Sequence, residues 1–341
     1  MMRRLSFLPL LLCMAMVQAE EPPGQPQGYT PRFTEEDFFD KPSPARPYVA
    51  RAGSELERVS NVIGNARFYE VQQNDTFLDV ARYYSLGFNE LEEANPGVDD
   101  WVPPVGQAIM LPTQWILPDG DYKGVVVNIP EMRLYYFHPS KGETVMVSTF
   151  PVGLGRDEWR TPRGKFRIRG KTVNPMWVLP ESIRAEHRRE GKPAPASIAG
   201  GSPDNPLGKY RMELTLPMYA IHGTNIPWGV GMQVSHGCIR LYPEDIEALF
   251  PYVAIGTPGE FTYQPVKLGA RDGRIFLEVS KDIYSLTPGV FREAQRLIDK
   301  SGWRDSVDPQ RVERAVVEQS GVPMDVTLDG IAPASLARTG G

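Results

Sequence analysis

Cysteine is scarce in this 341-residue chain, which has two, Cys13 and Cys238. Cys238 lies in VSHGCIRLY, Val234 to Tyr242, where His236, Gly237 and Cys238 run in a row and Arg240 follows two places on. A thiol becomes a strong nucleophile as its thiolate, so it needs a base within reach. Of the four histidines, His222 and His236 lie close before Cys238. Adjacent strand residues point to opposite faces, so a base on a neighbouring strand serves better than one beside the thiol. His222, at the end of the apolar run LPMYAIHGT, is the stronger candidate. Gly237 lets a substrate carbonyl approach the backbone, and the N–H groups of Gly237 and Cys238 can hold an oxyanion there. Arg240 shares a strand face with Cys238, and its guanidinium can grip a carboxylate in two places. The set describes thiol acyl transfer on a substrate with a free carboxylate.

Each residue has a plainer reading alone: a surface arginine, a structural imidazole, an inert buried thiol. A zinc site from His222, His236 and Cys238 is a different reading, which lacks an obvious fourth ligand and the short spacings of structural zinc. The combination favours acyl transfer with no metal.

Strands must position these groups. GVVVNIPEMRLYYFHP reads as two strands around a turn at Pro130 and Glu131. TVMVSTFPVGLG, GKFRIRGK and MYAIHGT add three more. The one clear helix is YPEDIEALFPYV, with Pro243 at its first position and Glu244 and Asp245 at its positive end. Residues 120–266 thus read as a mostly β domain with minor helices. Residues 267–330 read as an extension packed on it, with a hairpin turning at Asp272-Gly273 and helices from Val290 to Asp299 and Pro309 to Gln319. Residues 331–341 read as a frayed, flexible tail.

The N-terminal part divides in three. Arg3 and Arg4, the apolar Leu5 to Val17, and Val17-Gln18-Ala19 form the three regions of a cleaved secretory signal over residues 1–19. The apolar run is too short to span a membrane, and no span is expected after cleavage. Export leaves Cys238 alone in an oxidising compartment, a liability unless it has a use. Residues 20–66 are proline-rich and read as an extended lead or tether, packed in part on the neighbouring segment. Residues 67–113 read strand, helix, helix, strand: FYEV, NDTFLDVARYY capped by Asp75 or Asn74, FNELEEANPG, and GQAIMLP. Net charge is −5 with 23% charged residues, which offers no basic surface for nucleic acid.

HGTNIPWGVGMQVSHGCIRL resembles the signature of the L,D-transpeptidases of YkuD type. His222, Gly223, Ser235, His236, Gly237, Cys238 and Arg240 fit its pattern, and TPRGKF and SPDNPLGKY look like further family elements. The 67–113 segment resembles a LysM module, a small α+β domain that binds N-acetylglucosamine-containing glycans. It departs from the pattern at Asn74, where glycine is usual, and at Pro103-Pro104, and a packing or spacer role stays open beside glycan binding. The order of parts is similar to the Gram-negative enzymes that attach the outer-membrane (Braun) lipoprotein to peptidoglycan.

The resemblance implies a YkuD-type β-sandwich and a periplasmic enzyme acting on peptidoglycan stem peptides. It implies Cys238 as nucleophile, His222 as base oriented by the Gly223 carbonyl, and Arg240, His236 and Ser235 at the substrate, with no cofactor. The acceptor stays open. A lipoprotein lysine gives anchoring, a second diaminopimelate gives 3→3 cross-linking, and water gives a carboxypeptidase or hydrolase. A non-catalytic peptidoglycan-binding protein is the remaining class.

Overall fold

The computed structural model describes residues 29–51, 60–140 and 144–329. The expected signal, Cys13 and the 331–341 tail lie outside these. Within the proline-rich lead, a helix forms where Thr34 and Asp37 cap it reciprocally: α1 (Glu35–Asp40). β1 (Tyr48–Arg51) and β2 (Val62–Gly64) come after it. The described part of the lead is therefore folded into the protein.

Next come β3 (Arg67–Glu70), α2 (Phe77–Tyr83), α3 (Phe88–Ala94), β4 (Ala108–Leu111) and β5 (Gln114–Ile116). β3 pairs with β4 and β2 with β5, both antiparallel. The α2 cap is Thr76, whose hydroxyl accepts the Asp79 N–H, and not Asp75 or Asn74 as the sequence suggested. Asn74 instead sits at φ +65°, the left-handed region that glycine or asparagine tolerates. Asp75 is buried and accepts from the Tyr69 hydroxyl and the Gln72 N–H.

The chain continues through β6 (Gly124–Asn128), β7 (Arg133–His138), β8 (Thr144–Pro151), β9 (Leu154–Gly155), β10 (Gly164–Val173), β11 (Trp177–Val178), α4 (Glu181–Arg189) and β12 (Ser197–Ile198). β13 (Tyr210–Leu214), β14 (Ala220–His222), β15 (Gln233–Ser235), β16 (Ile239–Arg240), α5 (Pro243–Leu249) and β17 (Pro258–Thr262) complete this mostly β region. Nine strands form one mixed sheet in the order β1-β8-β7-β6-β17-β10-β13-β14-β16. β10 pairs with β17 and β13, and its register shifts between Ile168 and Gly170. Such a bulge bends a strand. Val125, Val127 and Leu134 from one side of β10 and Met212, Ile221 and Ile239 from the other close on a single core.

β7 is buried on both faces, which explains its unbroken run RLYYFH. Leu134 and Tyr136 enter the main core. Tyr135 and Phe137 face the other way, into a second core with Phe77, Val80, Leu91 and Trp115. The 67–116 segment thus shares a core with the sheet. Ion pairs reinforce the join: Arg82 of α2 reaches Glu244 of α5 at 3.0 Å, and Arg133 reaches Glu90 of α3 at 2.6 Å.

The sequence showed one clear helix here, α5. α4 is a second, and it was hidden because it is charged and buries only Ile183, so no apolar stripe marks it. After β17 come β18 (Val266–Arg271), β19 (Arg274–Val279), α6 (Val290–Ser301), α7 (Pro309–Glu318) and β20 (Met324–Asp325). Asp272 and Gly273, both at positive φ, turn the β18–β19 hairpin. This unit has its own core. Buried Lys267 ties it to the rest, reaching Glu131 at 2.6 Å, Glu278 at 2.7 Å and the Ile116 carbonyl at 2.6 Å. Among the described residues, no helix is long and apolar enough to cross a membrane.

Candidate active site

β14 delivers His222, buried at 3% exposure. Its Nδ1 lies 2.6 Å from the Gly223 carbonyl. A carbonyl can only accept, so Nδ1 carries the proton and Nε2 keeps its lone pair. Burial first, then the charges of Arg240 and Arg211, push this imidazole down to about 3, against the Gly223 hydrogen bond. His222 is therefore a neutral imidazole at pH 7.

Cys238 sits at the end of the tight turn between β15 and β16. Gly237 adopts φ +100°, and a Cβ there would meet Tyr219 Cε1 at 2.7 Å. Ser235 Oγ accepts the Gly237 N–H at 3.0 Å and donates to the Cys238 carbonyl at 2.7 Å. Thr161 Oγ1 donates to the Gly237 carbonyl at 3.0 Å. Two expectations change. The Gly237 N–H is already engaged, so it is not a free oxyanion donor. Ser235, 1% exposed, holds the turn rather than facing substrate. The Cys238 N–H donates to no described residue and remains available.

The Cys238 thiol donates to the Met218 carbonyl at 3.6 Å, and the Ala220 N–H points at the sulfur. Burial pushes the thiol up, while the Ala220 N–H, Arg240 and Arg211 hold it down. Thiol and imidazole both rest in their neutral forms.

β14 and β16 pair in parallel, with Ile221 opposite Ile239 and His222 opposite Arg240. The isoleucines enter the core, so His222 and Arg240 rise together from the other face. Arg240 Nε is buried without a hydrogen-bond partner. Burial pushes this guanidinium down, and Cys238 opposes the shift. His236 turns elsewhere: Nε2 donates to Glu186 of α4 at 2.8 Å, with Trp159 edge-on at 5.3 Å. Glu186 also holds Arg156, and its carboxyl is pushed down to about 2, foremost by His236. His236 thus links the site to α4.

A family model described as the L,D-transpeptidase catalytic domain, YkuD, matches residues 122–266. The chain is 33% identical to the probable L,D-transpeptidase YcfS of Escherichia coli K12, over 81% of this chain and 88% of that protein. It is 37% identical to the probable L,D-transpeptidase ErfK/SrfK of Salmonella typhimurium, over 79% and 88%. YbiS of Escherichia coli K12, also named a probable L,D-transpeptidase, is 38% identical over 72% and 81%. The chain belongs to the L,D-transpeptidase family. These alignments extend well beyond residues 122–266, so the L,D-transpeptidase domain and much of its flanking chain are shared with the relatives.

Three residues beside the candidate site were not singled out from sequence. Glu186 lies on the charged α4, which carried no signal. Thr161 lies within the quoted TPRGKF, but nothing there reveals its bond to Gly237. Arg211 was legible in principle. In YRMEL the apolar residues alternate with Arg211 and Glu213, the period of a half-buried strand.

Proposed function

We propose that this L,D-transpeptidase works by a cysteine acyl-enzyme mechanism on peptidoglycan tetrapeptide stems. The observation that carries the reading is the His222 tautomer. With Nδ1–H given to Gly223, the lone pair of Nε2 is free to take the Cys238 proton. Cys238 Sγ attacks the carbonyl at the L-centre of meso-diaminopimelate as its proton passes to His222. The Cys238 N–H receives the developing oxyanion, a contribution on the order of 3 kcal/mol per donor in acyl transfer. The C–N bond to D-Ala breaks, and His222 returns its proton to the leaving amine. An acceptor amine then attacks the thioester, gives a proton to His222, and releases the thiol. Arg240, with Nε unpaired, is the receptor for a substrate carboxylate, and His236 is a wall of the site.

The acceptor in this reading is the lysine of an outer-membrane lipoprotein, with 3→3 cross-linking and hydrolysis as the competing outcomes. The setting is the periplasm, reached through the signal at residues 1–19 and the 20–66 lead. The 67–113 segment is a LysM-like module, a reading supported by its strand, helix, helix, strand order. Residues 120–266 are the catalytic domain and 267–330 an extension.

Intact-mass spectrometry tests the chemistry. Protein incubated with a carbapenem or a tetrapeptide donor gains a covalent adduct, and Cys238→Ala does not. A folded wild-type protein that stays unmodified is a binding protein instead. A lipoprotein C-terminal peptide and a second stem peptide, offered together, identify the acceptor by the product formed.

A further inference from the structure

One charged pair beside the site has no role in the chemistry above. β13 pairs antiparallel with β14, setting Arg211 opposite His222 and Glu213 opposite Ala220. Met212, between them, enters the core with Ile221 and Ile239. Arg211, His222 and Arg240 therefore form one row across three strands on the face away from the core. Arg211 Nη1 lies 2.5 Å from Glu213 Oε1, and Arg169 Nη2 lies 3.2 Å from Glu213 Oε2. The Arg211 and Glu213 side chains keep 30% and 29% of their exposure, enough to meet a ligand.

We propose that Arg211 and Glu213 form a subsite for a free α-amino-carboxylate head group: the guanidinium takes the carboxylate and Glu213 takes the ammonium. The proposal rests on the thioester reading and deepens it, because the distal end of a diaminopimelate side chain is such a head group. The reach fits. The acyl carbon sits on Cys238, whose sulfur touches the Ala220 N–H of β14. The next strand, β13, is about 4.8 Å farther. Four extended carbon–carbon bonds between the two centres of diaminopimelate span roughly 5 Å. Ala220, between Cys238 and Glu213, presents only a methyl group to the crossing chain. Arg211 already acts at this range, since its charge lowers both His222 and Cys238. As a structural element the half-buried pair contributes modestly, because solvent still screens it. As a receptor it reads two charges of opposite sign at once, which neither lysine nor a simple dicarboxylate matches.

The test compares tetrapeptide donors whose third residue is meso-diaminopimelate, diaminopimelate amidated at its distal carboxyl, diaminopimelate N-acetylated at its distal amine, or L-lysine. In Arg211→Met, the kcat/KM preference for diaminopimelate over both lysine and the amide falls at least tenfold, chiefly through KM. In Glu213→Gln, the preference for the free over the acetylated amine falls likewise. Arg211→Lys, which keeps charge without the planar fork, gives an intermediate preference and serves if Arg211→Met does not fold. Unchanged preferences in folded variants overturn the subsite. A wild-type protein that forms no carbapenem adduct overturns the cysteine reading itself, so the two failures are distinguishable.

Discussion

His222 and Arg240 are register partners on parallel strands, rising side by side from the face that carries the thiol. The guanidinium has no carboxylate within ion-pair distance among the described residues, so no counter-charge offsets it beside the imidazole. Burial first, and then this charge, keep His222 neutral and able to accept a proton. Arg240→Met removes that charge, and the His222 titration moves up from about 3 toward the ordinary 6.5. An NMR titration of the His222 ring reads this directly without substrate. An inflection that stays in place shows that burial alone sets the value.

The same shift predicts how stability depends on pH. The unfolded chain protonates His222 near 6.5, whereas the folded chain resists protonation until about 3. Its contribution is fully present above 6.5 and erodes as pH falls through that window. His222→Gln flattens the fall of Tm between pH 6.5 and 3 relative to wild type. Parallel Tm curves for the two proteins refute this assignment.

Cys238 rests as a thiol, because burial outweighs the two arginines and the Ala220 N–H. Alkylation by iodoacetamide therefore climbs with pH beyond the ordinary thiol range, with no plateau near neutrality. Acylation by a donor depends instead on proton transfer to His222 in the transition state. His222→Ala slows it about 10²–10⁴-fold, while alkylation at high pH changes far less. Rapid alkylation at pH 6 indicates a preformed thiolate–imidazolium pair, the opposite of this prediction.

The candidate residues were legible because their types and order carry chemistry. His222 and Arg240 lie on the paired strands β14 and β16, and Gly223 and Cys238 flank them, as expected of a histidine that ends an apolar strand near the thiol. What sequence left out depends on distant partners. Nothing near Ser235 reveals that its hydroxyl is shared between the Gly237 N–H and the Cys238 carbonyl. Nothing in the polar α4 reveals that Glu186 faces His236. The lead lacked a period because its elements are short and take their burial from β5 and β8.

The turn before Cys238 is the most conformationally demanding point of the site. Gly237→Ala must place a Cβ at φ +100°, 2.7 Å from the Tyr219 ring. Backbone strain of this kind costs about 1–3 kcal/mol, so Tm falls and adduct formation slows sharply. Ser235→Ala strands the Gly237 N–H and the Cys238 carbonyl, at about 1–3 kcal/mol for a buried group left unpaired. Urea denaturation and adduct kinetics on both variants check this. Full stability and speed in Ser235→Ala return Ser235 to the substrate side.

Arg82 tests whether the N-terminal segment is a detachable module. Its guanidinium lies 3.9 Å from the Phe38 ring centroid, pairs with buried Glu244, and reaches the exposed Glu35 at 2.7 Å. Arg82→Met leaves Glu244 with Lys41 at 3.2 Å as its remaining cation. Breaking a buried pair from one side costs about 3–5 kcal/mol, whereas Glu35→Ala, at the exposed end, costs about 0–1 kcal/mol. The segment also shares its core with Tyr135 and Phe137 of β7. Arg82→Met therefore lowers the urea midpoint of the whole protein in one cooperative transition. Two separated transitions, with the sheet still folded after the first, show that the segment is held on the catalytic domain more loosely than its shared core requires.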